Sequence, residues 1–140
     1  MEQLRETENP LVLRTDFSNQ AAWDAICAKI RKPVGLMRFR AAVEFVDDVQ
    51  YAAITKDQLL EIVPKENEHA FIILVDEKAV NQPDYPLLVI DLYDQPGSEF
   101  RAIPSQIQSI ENNLSLANMD FEEFAESTDE SGVFRGFPEN

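Results

Sequence analysis

Cys27 is the only cysteine in the chain, which excludes an intramolecular disulfide and a cysteine-based metal cluster. His69 is the only histidine; alone it builds no His-rich metal site and completes no Ser-His-Asp arrangement. Glycine is scarce too, with four in all. No Gly-x-Ser-x-Gly elbow, Gly-rich phosphate loop or dinucleotide fingerprint occurs, so common covalent and cofactor chemistry has no foothold and no cofactor is expected. The longest apolar runs, Phe71 to Val75 and Pro86 to Ile90, fall far short of the ~20 residues that span a bilayer. Cations are the last shortage: 12 Lys and Arg stand against 26 Asp and Glu, for a net charge of −14. That field repels a phosphate backbone and an anionic membrane, so neither nucleic acid nor membrane is an expected partner.

What is present suits a folded domain. The 140 residues match the size of one ordinary domain, and a 44% hydrophobic share is enough for a core. The polar opening MEQLRETENP has no signal-like apolar run, and a lone thiol is most comfortable in a reducing compartment; both point to the cytoplasm. The charge is segregated. Residues 1–70 hold 12 acids and 9 bases, or −3, whereas residues 71–140 hold 14 acids and 3 bases, or −11. Lys29, Arg31, Lys32, Arg38 and Arg40 form a basic stretch with no acid among them. At least its first three members suit the C-terminal end of a helix.

The pattern predicts a flexible leader over residues 1–10, a single α/β domain over 11–127 and a polar tail over 128–140. Leu11 to Leu13 reads as a strand. Ser18 is placed to cap a helix with an apolar stripe of Ala22, Trp23, Ile26, Cys27 and Ile30, ended by Pro33 and Gly35. Alternation from Met37 to Phe45 predicts a half-buried strand, surest over Val43 to Val46. Thr55 and Gln58 have capping-box spacing ahead of a short helix that Pro64 stops. Phe71 to Val75 reads as a strand covered on both faces. The ten residues 76–85 are short for a helical crossover, so an antiparallel or irregular connection to the strand beginning at Leu87 is expected. Turn chemistry over Asp94 to Ser98 makes a hairpin of 87–93 and 100–103. Pro104 opens a helix carrying Ile107, Ile110 and Leu114, and Asp120 with Glu123 caps another carrying Phe121, Phe124 and Ala125. The expected fold is therefore a mixed sheet of about five strands, with a parallel part and a C-terminal hairpin, and with helices packed on it.

Three stretches, LRTDFSNQAAW at 13–23, PLLVIDL at 86–92 and IPSQIQSIENNLSLANMDFEEFA at 103–125, together resemble an uncharacterised family of small acidic bacterial domains. The resemblance spans about residues 11–137. It implies a bacterial protein built as one complete domain and carries over no catalytic residue.

Two groups of residues are candidates for chemistry. Asp16, Asp47, Asp48 and Asp76 each follow a strand; if those strands are parallel, all four lie at the carboxyl edge of the sheet, where open α/β folds bind ligands. Carboxylates there suit Mg²⁺ and hence hydrolysis or phosphoryl transfer. The same positions equally suit helix caps and turns. Asp47-Asp48 resembles the acidic pair of phosphorelay receiver domains, but no Lys follows position 78, so the likeness stops there. The second group is polar: Glu111, Asn112, Asn113, Ser115, Asn118 and Asp120, continued by Glu122, Glu123 and Glu126. Three Asn in the seven positions 112–118 conflict with helix propensity, and such conflicts mark either a helix junction or a functional site. Position six of the Asn118-x-Asp120-x-Glu122 run is Glu123 where a calcium loop needs glycine.

The leading expectation is a protein-binding module of inhibitor or immunity type, whose acidic C-terminal half meets a basic partner. An Mg²⁺-dependent enzyme built on the four Asp is the alternative. The basic stretch 29–40, receiving the acidic tail of a neighbour, would make a homodimer.

Overall fold

The computed structural model describes residues 2–137. Residue 1 of the leader and residues 138–140 of the tail lie outside the described residues. The elements run β1 (Leu11–Arg14), α1 (Gln20–Arg31), β2 (Glu44–Val46), α2 (Lys56–Ile62), β3 (Phe71–Val75), α3 (Glu77–Asn81), β4 (Leu87–Asp91), β5 (Glu99–Ala102), α4 (Ile107–Ser115), α5 (Phe121–Ala125) and β6 (Val133–Phe134). One six-stranded sheet has the order β2-β1-β3-β4-β5-β6. β1 pairs in parallel with both β2 and β3, β4 is antiparallel to β3 and β5, and β6 returns parallel to β5.

Alternation along the strands builds two cores. Val12, Phe71, Ile73, Val75, Leu87, Val89, Phe100 and Ala102 face α1, α3, α4 and α5. Leu11, Leu13, Ile72, Leu74, Leu88 and Ile90 face α2 and Tyr51. A strand covered on both sides has no solvent face to mark with polar residues, which explains the unbroken apolar run of β3. The β3–β4 connection is antiparallel, as its short length requires, and it contains the five-residue α3.

Several boundaries differ from the sequence expectation. Asn19, not Ser18, caps α1: its side chain accepts from the Ala22 N–H at 3.0 Å, while Ser18 bonds to Asp16. The strand expected over 37–45 is confined to Glu44–Val46. Residues 34–40 instead form an exposed loop closed by a single antiparallel bridge, Val34 to Phe39. The alternating Met37 and Phe39 are exposed there, not buried on a strand face. Pro104 starts a 3₁₀ turn that leads into α4.

The terminal segments are also built into the fold. Within the expected leader, Leu4 is buried and its N–H donates to Ile62 O at 2.8 Å. Within the expected tail, Val133–Phe134 is a sixth strand. Phe134 is fully buried among Phe100 and Phe124, and Phe137 packs on both Phe124 and Phe134. Aromatic pairs of this kind add about 0.5–1.5 kcal/mol each beyond their area, enough to hold a segment that composition marks as polar.

Candidate functional site

The parallel arrangement of β1, β2 and β3 puts Asp16, Asp47, Asp48 and Asp76 at one edge of the sheet. There they are engaged separately. Asp16 Oδ1 accepts from the backbone and hydroxyl of Ser18. Asp47 meets the buried Arg14 guanidinium at 3.3 Å, and that guanidinium also donates to Asp16 O and Gln20 Oε1 and lies over the rings of Phe17 and Trp23. Asp48 accepts from the Gln50 N–H and side-chain amide, which hold its carboxyl below the ordinary range. Asp76 accepts from the Ala79 N–H and forms a two-bond pair with Arg101. Among the described residues no three His, Cys, Asp or Glu side chains are grouped so as to hold a metal ion. The shared edge is present; convergence on a common point is not.

The opposite edge is different. Asp91 ends β4 across from Phe71, the first residue of β3, and Glu99 opens β5 beside it. Asp91 is buried, and its carboxylate accepts from the backbone N–H groups of Tyr93, Asp94 and Gln95. It thereby folds the β4–β5 turn into a wall. α5 forms the facing wall, because Phe121 and Phe124 pack beneath it against Phe100. Between the walls lies a cleft of about 590 Å³ lined by Asp91, Asp94, Gln95, Ser98, Glu99, Asp120, Phe121, Glu122, Ala125 and Glu126. A smaller hollow of about 210 Å³ shares Asp91, Asp94, Asp120 and Phe121 and adds Tyr93 and Met119.

Six carboxylates line the larger cleft without a Lys, Arg or His among the lining residues. Lys56 reaches Glu99 from α2, at 3.1 Å. A concave surface of one sign, walled by low-dielectric protein, focuses its field on whatever enters. Phe121 and Ala125 give the same cleft an apolar part.

Of the sequence candidates, Asp120, Glu122 and Glu126 line this cleft. Glu123 turns away to accept from the Asp120 N–H at 2.8 Å, closing the α5 cap. Asn112, Asn113, Ser115 and Asn118 are not among the lining residues. Asn113 donates to Ser109 O, and its own carbonyl accepts from the N–H groups of Asn118 and Met119. The Asn-rich run is thus the junction between α4 and α5, where Ala117 takes a left-handed conformation. Asp91, Asp94 and Glu99 were not singled out from sequence. Their one local signal, the turn chemistry of 94–98, identifies a hairpin and says nothing about which helix faces it.

A protein-family model for a domain of unknown function, DUF6924, matches residues 9–137. The chain belongs to the DUF6924 family. No curated protein matches it. In this DUF6924 domain the lone cysteine and the lone histidine are structural. Cys27 is buried on α1, and that burial pushes its thiol up to about 11, away from nucleophile chemistry. His69 Nε2 lies 2.8 Å from Thr7 O and ties the N-terminal segment down. The DUF6924 domain also carries no helix, among the described residues, long and apolar enough to cross a membrane.

Proposed function

We propose that this domain is a non-catalytic binding module that takes a basic, partly apolar segment of a partner protein into the cleft between the β4–β5 turn and α5. The observation that carries this reading is the set of six carboxylates around a cleft with an apolar wall of Phe121 and Ala125. Lys and Arg side chains match such a surface twice over, with a charged head for the carboxylates and a methylene stem for the apolar wall. Covering a basic surface on another protein is how an inhibitor or immunity-type module acts, and segregated charge would speed the encounter at low salt.

The test is titration with a Lys/Arg-rich peptide containing one Phe, followed by fluorescence anisotropy at two ionic strengths. Glu122→Lys with Glu126→Lys reverses two cleft charges. Glu8→Lys with Glu61→Lys makes the same change in net charge at exposed positions outside the cleft. The cleft pair is expected to weaken binding by at least about tenfold, near 1.4 kcal/mol. The control pair should act far less, since exposed charges beyond roughly 8 Å are screened at physiological salt. Equal weakening by both pairs would mean that only net charge matters, and the reading would fall.

A further inference from the structure

The loop between α1 and β2 breaks the character of the rest of the surface. Val34 and Phe39 exchange two backbone hydrogen bonds, at 2.7 and 2.9 Å, and the left-handed Gly35 and Arg38 close the tip. The result is a finger whose tip holds Leu36, fully exposed, together with the exposed Met37 and Phe39. Three large apolar side chains on one projecting loop form a contiguous apolar patch of the kind that marks an interaction site. Arg38 and Arg40 lie in and beside this loop, and Lys29, Arg31 and Lys32 precede it at the end of α1. Among the described residues, none of Lys29, Arg31, Lys32, Arg38 and Arg40 belongs to an ion pair. The finger is also held in place: at its base the Ala42 N–H donates to Glu111 Oε1 of α4 at 2.7 Å.

We propose that this finger is a self-association element, docking in the acidic cleft of a second copy of the chain. Charge complementarity selects that occupant. The finger offers Arg38 and Arg40, neither in an ion pair among the described residues, beside an apolar tip, and the cleft offers six carboxylates, of which Glu99 alone is paired with a Lys, around Phe121 and Ala125. Placement favours a closed dimer. The finger leads into β2 at the end where Glu44 pairs with Leu11, and the cleft lies where Asp91 pairs with Phe71; both are the end at which β1 and β3 begin. α1 and α5 also cover the same face of the sheet. A two-fold axis at that end brings each finger to the other copy's cleft, so the contact is made twice and leaves no open repeat. Each copy carries −14 overall, so an opposite-sign local contact is what lets two such bodies approach.

This inference rests on the cleft being a cation-binding surface, and the test separates the two. Sedimentation velocity of the full chain, from micromolar to near-millimolar concentration, is expected to show a monomer–dimer equilibrium. Leu36→Asp with Met37→Asp alters only exposed positions and should weaken dimerisation by at least about tenfold. Arg38→Glu with Arg40→Glu should do the same, and mixing that variant with Glu122→Lys/Glu126→Lys should restore a heterodimer. A monomer at every concentration, or a dimer indifferent to the finger variants, overturns the proposal. A monomer that binds phosphatidylserine vesicles through Leu36 and Met37 also overturns it, in favour of a lipid surface. In either monomer case, retained cleft-dependent binding of the basic peptide leaves the cation-binding reading standing. Loss of peptide binding as well removes both.

Discussion

Arg101 and Asp76 meet through two hydrogen bonds, Nη1 to Oδ1 at 2.9 Å and Nη2 to Oδ2 at 2.8 Å, with both side chains mostly shielded from water. Asp76 Oδ1 also accepts from the Ala79 N–H, and Arg101 Nη1 donates to Pro86 O. One pair therefore fixes the start of α3, the entry to β4 and the middle of β5. Asp76→Ala removes a helix cap and leaves Arg101 without its carboxylate, so a loss of roughly 2–4 kcal/mol is expected. Asp76→Asn keeps an acceptor for Ala79 and should lose about half as much. Urea unfolding followed by Trp23 fluorescence measures both; equal losses for Asn and Ala would show that the retained cap acceptor contributes nothing, and an Asn variant as stable as the wild type would show the same of the charge.

Glu111 is buried on α4, and its carboxylate holds the segment that supports the finger through the Ala42 N–H. Glu111→Ala leaves that N–H without its acceptor and is expected to cost about 1–3 kcal/mol. Glu111→Gln retains a carbonyl acceptor and should cost less. Amide hydrogen exchange at Ala42 is the local readout. It should accelerate strongly in the Ala variant and modestly in the Gln variant, whereas equal protection in all three proteins would deny the bond a positioning role.

The contrast between these residues explains what is legible in the sequence. Asp76 follows an apolar run and precedes a short helix, so its cap position can be read locally. Its partner Arg101 is 25 residues away, and no periodicity links them. The apolar runs of β1 and β3 encode burial on both faces directly, and those strands match their expected positions. Residues 37–42 alternate as well, but no neighbouring strand is available to pair with them, so pattern alone overstates the strand. The cleft needs Asp91, Glu99 and Glu122 on three different elements. Only the antiparallel pairing of β4 with β5 and the seating of Phe121 on Phe100 bring these together. Phe134 and Phe137 are missed for the same reason: a strand of two residues is specified by what it packs on.

Cys27 gives a prediction at alkaline pH. Burial is the main cause of its raised value, about 11 against an ordinary 9.0, with Arg31 opposing. The native state therefore keeps its proton where the unfolded chain has lost it. Unfolding releases a proton between about pH 9 and 11, so stability must fall as pH rises through that window. The raised Tyr51 hydroxyl, also a consequence chiefly of burial, acts in the same direction above pH 10. Cys27→Ala should flatten the part of the slope nearest pH 9 in thermal melts. At pH 8 the wild-type thiol should react with an aromatic disulfide reagent much more slowly than in urea; equal rates would contradict its protected state.

Asp129 predicts the acid behaviour of the C-terminal strand. Its carboxylate accepts from the Ser131 hydroxyl, the Arg135 guanidinium and the Val133 N–H, and these bonds hold it well below the ordinary carboxylate range. Arg135 in turn pairs with Asp84, tying the segment back toward the β3–β4 connection. A depressed native value means that the unfolded segment binds the proton first. The stabilisation is complete above the ordinary value near 4 and is lost as pH falls below it. The Val133 amide, bonded to Asp129 Oδ1 at 3.0 Å, should therefore lose exchange protection between pH 5 and pH 3 before the amides of β3 do, after correction for intrinsic rates. Asp129→Asn should bring that loosening to neutral pH, because it removes the charge that holds Arg135. If Val133 and the β3 amides lose protection together over this range, β6 is part of the global unit, and Asp129 does not control it separately.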